Sequence, residues 1–188
     1  MAGNEGTGAD PVVGFPLAGE IAVTMSTTQK IPANEQIRAR REELKFSDVD
    51  MARVTRVTIS SYVDLEADEK EIRVQVALYH IKRLCEVLRL SLLDLFGMPC
   101  AFCEEGLTHY DYYWLGRNEI VEQRRKALEL SIEELSNLAA CSIEGIKNAE
   151  NYTAHLESWA VDDILELGTA LQLPGQLLLD FRCPRCGR

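Results

Sequence analysis

The sequence predicts an all-α protein, on three observations. Apolar residues recur three or four apart, as in Val74, Leu78, Ile81, Leu84, Cys85 and Leu88, and again in Val161, Ile164, Leu167 and Leu171. Hydroxyl residues that suit helix N-caps, Ser47, Thr58 and Ser131, stand just ahead of helical runs. No alternating apolar and polar run is long enough to build a sheet.

The chain also repeats itself. Ile37, Arg40, Arg41, Leu44, Phe46, Ser47, Met51, Thr58, Tyr62 and Glu66 form one series. Adding 84 gives Val121, Arg124, Arg125, Leu128, Leu130, Ser131, Leu135, Ser142, Ile146 and Glu150. One residue is then lost, and at an offset of 83 Leu84, Leu88, Leu90, Leu95, Cys100 and Cys103 map onto Leu167, Leu171, Leu173, Leu178, Cys183 and Cys186. Two copies of one short-helix unit account for this pattern.

Taken in order, residues 1–33 mix Gly, Pro, Thr and Ala without periodicity and read as a disordered tail. The first copy spans 34–103. Its first helix covers about Asn34 to Leu44. Ser47 caps a second helix ending near Val54, and Asp48 puts negative charge in its first turn. Thr58 caps a third helix running through Leu65, and the amphipathic stretch from Val74 follows. Residues 104–118 form a linker dense in aromatic side chains between Tyr110 and Trp114; these rings suit packing across the two copies. The second copy spans 119–188, where Ser131 with Glu134 makes a capping-box pattern.

The chain has 188 residues and a net charge of −10, distributed unevenly. Counting Lys, Arg, Asp and Glu, residues 1–36 carry −3, 37–99 carry 0, 100–118 carry −2 and 119–188 carry −5. An acidic chain repels nucleic acid at long range, so any DNA contact must rest on a local basic face within 37–99. No run is long enough to span a bilayer, and no Lys or Arg precedes Lys30 to start a signal peptide. The expected location is therefore cytoplasmic, with no membrane partner. In a reducing compartment, paired cysteines point to metal or redox chemistry before structural disulfides. There is no phosphate-cradling glycine loop and no nucleophile with its base, so the chain reads as non-enzymatic, with no small-molecule substrate identified.

Each copy resembles the lambda-repressor-like helix-turn-helix domain of Cro/repressor (XRE-type) regulators. The match runs through Ile37, Arg41, Phe46, Ser47, Met51, Ala52, Val57, Thr58, Tyr62, Leu65 and Glu66. It runs again through Val121, Arg125, Leu130, Ser131, Leu135, Ser136, Cys141, Ser142, Ile146, Ala149 and Glu150. The resemblance implies an ion pair between helix one and helix three, Arg41 with Glu66 and Arg125 with Glu150. It also implies DNA contact through the third helix. This sequence departs from the family at Asp48 and Ile132, where the family places Gln. It departs again at Arg56 and Ala140, where the family commonly places a turn glycine.

The residues suited to DNA in the first copy are Arg53, Arg56, Lys70 and Arg73 for phosphates, with Thr58, Ser60 and Ser61 near the third-helix start. Arg38 and Arg40 add charge on helix one, and Asp64 opposes phosphate. The second copy offers Lys147 and Asn148, against Glu144. The same arginines also suit a plain solvated face.

Cys100 and Cys103 end the first copy, and Cys183 and Cys186 end the second. The second pair, Cys183-Pro184-Arg185-Cys186-Gly187, resembles a zinc knuckle. Four thiolates make a closed structural Zn(2+) site, held within one chain or shared across a homodimer. A redox or iron–sulfur sensor is the alternative. Cys85 and Cys141 read as small core residues, and His80, His109 and His155 bear no spacing relation to the pairs. The expected function is a zinc-stabilised transcriptional regulator binding double-stranded DNA through the first copy. The alternatives are a protein-interaction or antitoxin-like module with degenerate faces, or a cysteine-based sensor.

Overall fold

The computed structural model describes residues 31–100, 103, 115–180, 183 and 185–187, and the regular elements among these are all helices. The expected tail through residue 30 and the aromatic segment 108–114 lie outside the described residues.

The first half contains α1 (Ala33–Glu43), α2 (Asp48–Thr55), α3 (Ile59–Ala67), α4 (Glu69–Val74), α5 (Leu78–Leu88) and α6 (Leu92–Phe96). The second contains α7 (Arg117–Ala127), α8 (Ile132–Leu138), α9 (Ile143–Asn151), a 3-10 turn (His155–Ser158), α10 (Val161–Ala170) and α11 (Gly175–Leu179). Adding 84 to α1 and α3 reproduces the bounds of α7 and α9, and adding 83 to α6 reproduces those of α11. The left-handed residues recur at the same spacings: Lys45 and Glu129, Arg56 and Ala140, Arg89 and Gln172, Gly97 and Asp180.

Local chemistry sets the helix starts. Ser47 accepts from the Asp50 N–H at 3.1 Å while Asp50 reaches back to the Ser47 N–H, a reciprocal cap. Ser131 and Glu134 repeat the arrangement at α8. Thr58 and Ser142 cap α3 and α9. α1 begins at Ala33, which is fully buried, so the first helix starts one residue before the expected boundary. Likewise Arg117 and Asn118, placed in the linker by sequence, belong to α7.

The amphipathic stretch expected from Val74 becomes a helix only from Leu78. α4 ends at Val74, which is exposed, and the apolar stripe begins at Leu78. Between them Ala77 forms an isolated antiparallel bridge with Ala160, and the Leu78 N–H donates to the Trp159 carbonyl at 2.8 Å. Residues 77 and 160 differ by 83, the spacing at which the bounds of α6 recur as those of α11. α4 packs on α10 and α5 on the 3-10 turn. One apolar core, including Ile37, Tyr62, Leu84, Val121, Ile146 and Leu167, runs through both halves.

Candidate functional site

α6 ends at Gly97 in the left-handed region (φ 60°), and the chain then reaches Cys100. α11 ends at Asp180, also left-handed (φ 49°), and the chain then reaches Cys183. The same exit therefore delivers both cysteine pairs to one place. Cys100 Sγ lies 3.8 Å from Cys186 Sγ, and Cys103 Sγ lies 3.9 Å from Cys183 Sγ. All four sulfurs fall within 4.8 Å of one another. Ligands at about 2.3 Å from a tetrahedral ion stand about 3.8 Å apart, so the donor set fits a metal ion such as zinc.

The backbone shapes each pair as a turn. The Cys103 N–H donates to the Cys100 carbonyl at 3.1 Å, and the Gly187 N–H to the Cys183 carbonyl at 2.8 Å. Gly187 takes φ 71°, a conformation glycine adopts without penalty. The Arg185 N–H points at Cys183 Sγ at 3.3 Å, a dipole that stabilises a thiolate. Cys100 and Cys183 are buried against Leu93, Cys186 is half-buried, and Cys103 is exposed. Hydrogen bonds with Cys186 and Cys100 push the Cys103 thiol up to about 12. Four sulfurs this close cannot all be thiolates without a cation, and metal binding displaces their protons.

Cys85 and Cys141 stand apart from this cluster. Burial pushes Cys85 up to about 12 and, with the charges of Asp163 and Glu166, Cys141 to about 11. Cys141 is only half-buried and donates to the Ala139 carbonyl at 3.0 Å. No other group of three His, Cys, Asp or Glu side chains converges this way among the described residues.

Both ion pairs expected from the resemblance are present. Arg41 donates to both Glu66 oxygens at 2.6 and 2.8 Å, and to the Phe46 carbonyl at 3.2 Å. Arg125 donates to both Glu150 oxygens at 2.6 and 3.0 Å, and to the Leu130 carbonyl at 2.8 Å. The first pair has one more member, the Tyr62 hydroxyl, which donates to Glu66 at 2.6 Å. Burial raises the Tyr62 phenol, and its bond to Glu66 adds to that. Burial alone would raise the Glu66 carboxyl as well. The bonds from Arg41 and Tyr62 outweigh it and hold Glu66 below the usual carboxylate range.

The residues expected on a DNA face are dispersed. Arg53 and Arg56 are exposed, Arg53 in a loose 3.7 Å contact with Asp50. Thr58 Oγ1 caps α3 and lies 3.0 Å from Ser60 Oγ and 2.7 Å from Ser61 Oγ. Ser60 is exposed and Ser61 half-buried. Lys70 is exposed at the start of α4. Arg73 is drawn to the other half of the molecule. It donates to Asp162 at 2.7 Å and lies over the Phe96 ring at 5.5 Å. Arg38 and Arg40 are also engaged, with the Glu66 and Leu88 carbonyls. On α9, Lys147 is exposed, and Asn148 lines a recess with Glu144. Ile59 and Val63 on α3 are 51% and 46% accessible, so much of what α3 shows to solvent is apolar.

Sequence reasoning missed the charge network joining the halves. Glu157 accepts from Lys82 at 2.7 Å and from Arg117 at 2.6 Å. It missed Trp159 as well. Neither has a local signature, since the partners are 75 and 40 residues away in the chain.

The fold and site define a helical chain with a four-cysteine centre compatible with a metal ion. No helix among the described residues is long and apolar enough to cross a membrane. Comparison with protein families, curated proteins and solved structures finds no match.

Proposed function

We propose that the chain is a DNA-binding transcriptional regulator of two tandem lambda-repressor-like helix-turn-helix units, clamped by one zinc ion on Cys100, Cys103, Cys183 and Cys186. The observation that carries the reading is the local geometry of 47–67. Ser47 and Thr58 cap two short helices, and Arg56 turns between them in the left-handed conformation (φ 61°). Arg41–Glu66 ties the second of these helices to α1. Arg53, Arg56 and Ser60 are all exposed, so the two arginines are available to phosphates once Arg53 gives up its loose contact with Asp50. The role given to zinc is supported by the four sulfurs, two from each unit, which lie within 4.8 Å of one another.

The test is selection from a random duplex library at low salt, with wild type and Arg56→Gly. Glycine relieves the backbone strain at this position while removing one cation, so lost affinity is not lost folding. Weaker binding to all selected sequences, with a salt slope reduced by about 1, supports DNA contact. No enrichment by the wild-type chain would reject it. That outcome favours the second reading, a protein-docking surface on α3, which rests on exposed Ile59 and Val63.

A further inference from the structure

We propose that the second half carries a binding site for a small organic cation, in a recess beside α9, away from the Arg53 and Arg56 face of the first half on which the DNA-binding reading rests. The recess has a volume of about 440 Å³, within the usual range for small-molecule sites. It lies where the α8–α9 turn, the first turns of α9, the 3-10 turn and the start of α10 meet.

Its chemistry is of one kind. The charged side chains lining it are Glu144 and Asp163, and no Lys or Arg is among them. Trp159 supplies an aromatic surface, with the His155 ring edge-on to it at 5.9 Å and 77°. Gly145 is a glycine inside a helix for a reason found here. A Cβ at this position would stand 3.3 Å from Trp159 Cζ2 and 3.0 Å from Ser142 Oγ. Its absence lets the indole lie against α9.

An indole beside carboxylates attracts a cation, and a weakly hydrated ammonium most of all. The start of α9 opposes this with about half a positive charge, but two full carboxylate charges exceed it. On the wall, burial raises the Cys141 thiol, and the charge of Asp163 adds to that. A bare metal ion is not the ligand, because the donor atoms do not converge as the four zinc-cluster sulfurs do.

The first half lacks this chemistry. At the corresponding offsets, Val76 stands for Trp159, His80 for Asp163 and Ser60 for Glu144. His80 Nδ1 is already engaged with the Thr55 carbonyl at 2.6 Å. The recess also adjoins the junction of the halves, since Trp159 and Ala160 line it and make the contact with Leu78 and Ala77.

The experiment titrates the full zinc-loaded chain carrying Trp114→Phe, so that Trp159 is the remaining tryptophan, with choline. Its neutral carbon isostere, 3,3-dimethylbutanol, is the control, and Trp159 fluorescence and the indole N–H resonance are followed. Saturable change with choline and at least about fivefold weaker response to the isostere is expected. Asp163→Asn and Glu144→Gln should each weaken choline about threefold or more. Glu86→Gln, which removes the same charge from an exposed position on α5, should not. Equal response to both compounds, or equal loss from Glu86→Gln, would overturn the proposal. So would an absence of saturation in a chain whose circular dichroism is native. None of these readouts depends on DNA binding.

Discussion

Glu66 is a tightly held carboxylate. Its side chain is 9% accessible and it accepts from Arg41 and Tyr62. A folded-state pKa below the ordinary 4.5 means that Glu66 stabilises the protein above that pH. The contribution fades as pH falls through the depressed value, so unfolding should set in below about pH 4.5, and Glu66→Gln should flatten this acid limb. Glu66→Ala leaves a mostly buried guanidinium with Asp48 at 3.3 Å and the Phe46 carbonyl, and a buried phenol without its acceptor, at about 3 kcal/mol in urea denaturation. Glu150→Ala should cost less, because Ile146 stands where Tyr62 does and no hydroxyl loses a partner. A second prediction concerns backbone strain. Ala140 sits at φ 50°, which disfavours any residue with a Cβ. Ala140→Gly should raise stability by about 0.5–1 kcal/mol, the relief of a left-handed Ala less the added freedom of the unfolded chain.

At the scale of elements, the 3-10 turn is held by charge. Glu157 on that turn joins Lys82 of α5 to Arg117 of α7. Arg117 is buried, its Nη1 donates to the Leu178 carbonyl at 3.3 Å, and its Nε has no partner. Removing Glu157 therefore leaves a buried cation, whereas removing Arg117 leaves Glu157 still paired with Lys82. Glu157→Ala should cost about 3 kcal/mol or more, and Arg117→Met clearly less. Thermal unfolding of the two variants checks the order. Equal losses would mean that packing around the Arg117 stem matters more than its charge. By contrast Arg73–Asp162, about one-third accessible on each side, should contribute only about 1 kcal/mol or less.

Across the whole molecule, the cysteine centre closes a structure that is already joined. The shared core, the Ala77–Ala160 bridge and the Glu157 network all cross between the halves. Stripping metal with a strong chelator should lower the melting temperature without separating the halves, so the hydrodynamic radius should change little. Metal analysis should return one zinc per chain in a monomer. Cys103→Ser should weaken retention, while Cys85→Ala and Cys141→Ala should leave the stoichiometry unchanged. Two zinc-free chains associating only through their cysteines would contradict the single-chain clamp.

Much of this organisation was legible in the residues themselves. Caps, apolar spacing and the 25-residue separation of Arg41 from Glu66 are local or periodic signals, and each reappears as a helix start, a buried stripe or an ion pair. The four cysteines were legible as two pairs. That they meet in one chain was decided by the tertiary structure, because the fold brings together segments 80 and 86 residues apart. Tertiary structure also separated Val74 from the rest of the amphipathic stretch, with Ala77 between them in contact with Ala160. It paired Arg73, expected on a basic face, with Asp162. Sequence by itself determined what each segment prefers, since capping and periodicity act within a few residues. Which charges remain free, and where a recess opens beside Trp159, depends on partners distant in the chain and is settled only when the two halves pack together.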